Sequence, residues 1–143
     1  MLNPESMKKL LSEIKTIAIV GAKDKPGQPV DDVARYLMQA GYTIIPVHPK
    51  RSDVWGLTTY PEVGSIPQVP DAVVLFRASE YCADHAREVL ALPGKPKVFW
   101  MQLGIHNDEA RKLMEEAGIA AVQNLCIKVE HQKLFGAGIG LGF

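Results

Sequence analysis

The sequence predicts an α/β fold built on a mostly parallel sheet of about five strands. Short apolar runs recur along the 143 residues, and the first of them stops dead at a glycine. Between the runs lie segments with apolar residues at helical spacing. The two kinds alternate, which means βαβ units with right-handed crossovers and a parallel sheet. A hydrophobic content of 47% and a charged content of 22% suit one ordinary globular core in one domain, 1–143.

Residues 4–14 read as a helix, with Pro4 in its first turn and Met7, Leu10, Leu11 and Ile14 on one face. This segment, 1–15, needs a surface to pack on, either the sheet or a second copy of the chain. Residues 16–20 are a buried strand ending at Gly21. Val30, Val33, Ala34, Leu37 and Met38 mark the next helix, stopped by Gly41. Tyr42 to Val47 is the second strand. Pro49 to Asp71 reads as irregular chain with one short helix at Pro61 to Ile66. Ala72 to Phe76 is the third strand, and Ser79 is placed to cap a helix whose inner face is Cys82, Ala86, Val89 and Leu90. Val98 to Met101 is the fourth strand. Asn107 caps a helix with Ala110, Leu113, Met114 and Ala117 inward and Gly118 at its end. Ile119 to Val122 is the fifth strand. The tail, 132–143, is rich in glycine and is expected to be ordered only by a contact.

Charge and cysteine usage narrow the classes of function. Sixteen basic and 16 acidic residues give a formal net charge of zero, which argues against duplex nucleic acid as the main partner. Two cysteines without CxxC spacing imply neither a disulfide framework nor a zinc site. The start of the chain lacks the basic-then-apolar pattern of a signal peptide, and no apolar run approaches about 18 residues. The expectation is a cytoplasmic protein without a membrane partner. The four histidines show no metal-ligand spacing, and GxSxG and P-loop motifs are absent, so no catalytic or metal constellation is expected.

The chemistry gathers at the strand ends. The loop after the first strand, Gly21-Ala22-Lys23-Asp24-Lys25, runs into a helix opening near Val30, the kind of junction that cradles phosphate. It also reads as a tight turn with surface lysines. The three-glycine dinucleotide spacing is missing, Pro26 and Pro29 remove amide donors, and Asp24, Asp31 and Asp32 put negative charge nearby. The second strand ends Val47-His48-Pro49-Lys50-Arg51, with no acid to hold a ribose hydroxyl and two fixed positive charges. That favours a ribose carrying a phosphate, as in NADP or coenzyme A, over NAD. A solvated basic turn is the bland alternative. Gln102-Leu103-Gly104-Ile105 follows the fourth strand at the same edge. Cys126 follows the fifth, in Asn124-Leu125-Cys126, and reads as either a reactive thiol or a small buried residue. Cys82, at a helix core position, is structural. Trp55 and Trp100 read as core residues.

The order of these pieces resembles the small single-domain CoA-binding proteins, related to the CoA-binding domain of the succinyl-CoA synthetase α subunit. The resemblance runs from about Ile17 to His131. It rests on Ile19-Val20-Gly21-Ala22, Val33-Ala34-Arg35-Tyr36-Leu37, Ile45-Pro46-Val47-His48-Pro49-Lys50, Tyr60-Pro61, Phe76-Arg77, Gln102-Leu103-Gly104-Ile105 and Cys126-Ile127-Lys128-Val129-Glu130-His131. It implies a Rossmann-like three-layer domain that binds coenzyme A or an acyl-CoA along the carboxyl edge of the sheet. The resemblance places Gly21, Ala22, Lys23 and Lys25 near the phosphates, and His48, Pro49 and Lys50 near the adenosine. Phe76, Arg77 and Gln102 to Ile105 would line the rest, with Asn124 to Cys126 toward the pantetheine. The chain departs from the pattern at His48, where Asn is commoner, and at Gly27-Gln28-Pro29-Val30, where small hydroxyl residues are common. The synthetase phosphohistidine lies in another domain, so ligase activity is not implied. The expectation is a binding module without evident catalysis of its own that forms a homodimer; the alternatives are an NADP-dependent oxidoreductase and CoA-thiol exchange through Cys126.

Overall fold

Apolar runs that are buried on both faces suit a parallel sheet, and the five runs of this chain form one. In the computed structural model, which describes residues 2–136, the strands are β1 (Thr16–Val20), β2 (Thr43–Val47), β3 (Ala72–Leu75), β4 (Val98–Met101) and β5 (Ala120–Val122). They form one sheet in the order β2-β1-β3-β4-β5, and every pairing is parallel. The helices are α1 (Pro4–Glu13), α2 (Pro29–Gln39), α3 (Cys82–Leu90), α4 (Asp108–Glu116) and α5 (Ile127–Phe135).

Side chains alternate across a strand, so each strand feeds two separate cores. Ile17, Ile19, Val74 and Trp100 face one side, where Met7 and Leu11 of α1, Val33 and Leu37 of α2, and Ile127 of α5 close over them. Ala18, Val20, Val73, Leu75 and Phe99 face the other side, covered by Cys82, Ala86 and Val89 of α3 and Ala110 and Met114 of α4. The result is the expected Rossmann-like three-layer sandwich. The apolar face of α1 is spent inside its own chain, so this helix no longer calls for a second copy.

Local chemistry fixes the ends. Asn3 caps α1 by accepting the Ser6 N–H at 2.8 Å, and Asn107 caps α4 by accepting that of Ala110 at 2.9 Å. At the amino edge of the sheet, the Asp71 carboxylate accepts the N–H groups of Lys15 and Thr16 at 2.7 and 3.1 Å. Beside β2, Tyr60 donates its N–H to the Pro46 carbonyl at 3.0 Å and accepts that of His48 at 2.9 Å.

Several expectations shift. Ser79 does not cap α3. It opens a single 3-10 turn, Ser79–Tyr81, and its Oγ accepts the His106 N–H at 3.0 Å. Leu90, expected inward, is exposed. The irregular stretch holds two 3-10 turns, Val54–Gly56 and Val63–Ser65. The periodicity does not reveal α5, which reaches Phe135 and so crosses position 132, where the tail was expected to begin. The expectation about the order of the tail concerns residues 137–143, which lie outside the described residues.

Candidate functional site

The strand order decides where a ligand can enter. β1 and β3 are neighbours, but the chain leaves β1 toward α2 on one face and leaves β3 toward α3 on the other. The two loops diverge and open a crevice at the carboxyl ends, the place where open α/β sheets bind ligands. A cleft of about 430 Å³ lies there. Gly21, Lys23 and Val30 border it from the β1–α2 side, Phe76 and Arg77 from the β3–α3 side, and Gln102, Leu103, Ile105 and Cys126 from beyond β4 and β5. A second cleft of about 220 Å³, bordered by Pro49, Pro61, Glu62 and His85, shares Gly21 and Arg77 with the first. Together they make one groove along the sheet edge.

Gly21 is the tightest point of this groove. Its φ is +88°, and a Cβ added there would sit 2.4 Å from the Phe76 carbonyl oxygen. Only glycine lets the β1 and β3 exits run this close. Ala22 is fully buried beneath the loop, and its amide shares the Val47 carbonyl with that of Gly21, at 3.2 and 3.0 Å. It shapes the loop without lining the cleft. Lys25 and Lys50 are exposed and Pro49 borders the second cleft; Lys23 borders the first.

The N-terminus of α2 offers less than its position suggests. Pro29 has no N–H, and the amides of Asp31 and Asp32 both go to the Gln28 carbonyl, at 3.1 and 3.2 Å. The Val30 N–H is left without a partner among the described residues. The nearby acids all have partners, a cation for Asp31 and Asp32 and a backbone amide for Asp24. Asp31 is buried and accepts from Trp55 Nε1 at 2.8 Å and from Arg35 Nε at 3.0 and 3.1 Å. Burial acts to raise its pKa, but the bonds from Trp55 and Arg35 outweigh it, and the carboxyl sits below its ordinary value. Asp32 pairs with Lys128 Nζ at 2.8 Å. Asp24 accepts the Trp55 N–H at 3.3 Å. Trp55, partly buried against the core as expected, is thus also a clamp on the phosphate-type loop, and it holds a left-handed backbone, φ +55°.

Lysines and arginines from three loops bear on the second strand's end. His48 Nδ1 accepts the amides of Lys50 and Arg51 at 3.0 and 3.1 Å, fixing the turn after β2. Burial holds this imidazole below 6.5, and Arg51, Lys23, Arg77 and Lys50 push the same way. Arg77 itself lies over the Tyr81 ring, 4.8 Å from its centroid. This is a cationic field suited to phosphate.

Farther along the edge, Asn124 does not border the cleft. It takes a left-handed backbone and ties two loops together, its Oδ1 accepting the Gly104 N–H at 2.7 Å. Gly104 is therefore engaged by that latch. Cys126 opens α5 and borders the cleft, whereas burial pushes the Cys82 thiol up to about 11. The sequence reasoning missed Gln28, Pro29, Val33 and Ala78, which also border the cleft. Val33 lies on the core face of α2 and reaches the cleft as well, and Ala78 simply extends the Phe76-Arg77 turn. Among the described residues no group of three or more His, Cys, Asp or Glu side chains is placed to hold a metal, and no helix is long and apolar enough to cross a membrane.

A family model described as a CoA binding domain matches residues 15–132. The chain belongs to this CoA-binding family. It is 36% identical over 133 residues to an uncharacterized protein of Bacillus subtilis (strain 168), YneT, covering 92% of this chain and 97% of that one. It is 29% identical over 110 residues to a trans-feruloyl-CoA synthase from an unknown prokaryotic organism, covering 76% of this chain but 15% of that enzyme. The fold matches a hypothetical protein from Pyrococcus horikoshii OT3 with a TM-score of 0.89, at 36% identity and 94% coverage of each chain. It matches a Thermus thermophilus protein with a TM-score of 0.87, at 36% identity, covering 94% of this chain and all of that one (100%).

Proposed function

We propose that this chain binds coenzyme A or an acyl-CoA in the groove at the β1/β3 switch point. The observation that carries the reading is the crevice itself. A glycine-only backbone approach at Gly21 sits beside Lys23 and Arg77 on a cleft whose remaining lining is mostly apolar, Gln28 and Gln102 excepted, in a member of a CoA-binding family. The cations suit phosphates and the apolar stretch suits the pantetheine arm. Lys50 and Arg51 extend the positive field toward a ribose phosphate. The residues bordering the main cleft include no carboxylate and no imidazole, which favours binding over hydride transfer with NADP. Isothermal titration calorimetry tests this: CoA should bind at sub-millimolar concentration and NADPH should not compete with it. A folded protein that ignores CoA removes the reading.

Cys126 supports a second reading, because its thiol borders the same cleft. Its thiolate would attack the disulfide of oxidised CoA, forming a Cys126–CoA mixed disulfide and releasing one CoA thiolate. Intact mass after incubation with oxidised CoA should show one CoA adduct that is absent in Cys126→Ser. An adduct that persists in Cys126→Ser rules out this route.

A further inference from the structure

Gln102 is the first residue past β4 and only 4% exposed. Its Oε1 accepts the Ile127 N–H at 2.9 Å. That amide belongs to the opening turn of α5, where amides have no partner within the helix. An N–H can pair only with the oxygen of a carboxamide, so this bond settles which way the side chain faces. The nitrogen, Nε2, is turned away from Ile127 with both of its hydrogens unspoken for among the described residues. No fully enclosed side-chain polar atom among those residues lacks a partner. Nε2 must therefore reach open space, and the open space Gln102 borders is the main cleft.

The donor is neutral, fixed and set among apolar neighbours, with Ile105 and Phe76 also on the cleft. It is poorly matched to a phosphate, whose charge it cannot offset. The cations that can do so, Lys23 and Arg77, sit on the β1 and β3 loops instead. A buried, oriented N–H₂ that meets no protein acceptor calls for a neutral acceptor on the ligand. We propose that Gln102 Nε2 hydrogen-bonds a carbonyl oxygen of the ligand, an amide carbonyl of the pantetheine arm or the thioester carbonyl of an acyl group. This end of the groove would then select for the arm, while the cationic end holds the phosphates. The inference rests on the CoA reading above.

The test is calorimetric titration of wild type, Gln102→Glu and Gln102→Met with three ligands: CoA, acetyl-CoA and adenosine 3′,5′-bisphosphate. Gln102→Glu keeps the acceptor for Ile127 and loses the donor; Gln102→Met loses both at similar volume. Thermal unfolding of each variant reports the fold, and the Glu variant serves if loss of the α5 contact unfolds the Met one. CoA affinity should fall roughly tenfold, the scale of one buried hydrogen bond, in the folded Met variant. The bisphosphate, which lacks the arm, should stay within about twofold in that variant. In the Glu variant, where added charge weakens every anion, the ratio of CoA to bisphosphate affinity should still fall. Equal losses for CoA and acetyl-CoA assign the bond to the arm; a loss confined to acetyl-CoA assigns it to the thioester. Unchanged CoA and acetyl-CoA affinities in folded variants overturn the inference and leave the CoA reading standing. Failure of wild type to bind CoA overturns the reading itself.

Discussion

At the scale of single residues, the groove depends on Gly21 having no side chain. Gly21→Ala places a methyl group 2.4 Å from a backbone oxygen at φ +88°, and neither partner is a flexible side chain that can move aside. The expected cost is about 2 kcal/mol or more, read by urea denaturation. A loss below about 0.5 kcal/mol, the scale of ordinary surface substitutions, would show that the β1 and β3 exits can part freely. His48 provides a pH signal. The folded protein holds its pKa below 6.5, so the unfolded chain takes up the proton first. The stability it contributes is present above 6.5 and is lost as pH falls from there through the folded value. An anion bound among Lys23, Lys50, Arg51 and Arg77 opposes the field that depresses this pKa. NMR titration should show the His48 pKa rising when CoA is added; a fall would place the phosphates elsewhere. Gly21, Lys23, Arg77 and Gln102 could be picked out in the sequence because each follows an apolar run, and parallel strands bring all such positions to one edge. The partner of Asp32 could not, since Lys128 lies 96 residues away and only packing brings them together.

Among the elements, the hold of Trp55 on the start of α2 separates two kinds of acid. Asp31→Ala should leave Trp55 Nε1 and the Arg35 guanidinium without their buried acceptor, at about 1–3 kcal/mol. Asp32→Ala breaks a pair whose carboxylate is 65% exposed and should cost less than about 1 kcal/mol. Chemical denaturation of both variants checks the contrast, and equal losses would contradict the clamp. Elements with an uninterrupted pattern, β1, β3, β4 and α2, were legible in the sequence to within a residue or two. α5 was hidden because Ile127, Lys128, Val129, Glu130 and His131 alternate apolar and polar as a strand would. Its inward positions include a histidine, which packs on Phe135 at 4.5 Å between centroids and bonds the Tyr36 hydroxyl at 2.7 Å. A polar residue in the buried stripe breaks the helical signature that apolar spacing alone would give.

For the whole molecule, βαβ alternation foretold the layers and the parallel sheet, whereas the order β2-β1-β3-β4-β5 was set by which face each crossover takes. That choice creates the crevice, and it also leaves β2 and β5 as the outer strands. A parallel sheet with open sides invites another chain to extend it. Here the invitation is withdrawn twice. β5 is three residues long. β2 carries Pro46, which has no N–H, and Tyr60 occupies its carbonyl. Pro46→Val should restore a donor on that side and lower the temperature at which light scattering detects aggregates. An unchanged or higher onset would assign the protection elsewhere. Tyr60, brought back alongside β2 by the segment that carries Lys50 and Arg51, thus occupies the edge another molecule would need, so one stretch of chain both covers the strand and supplies cations to the groove.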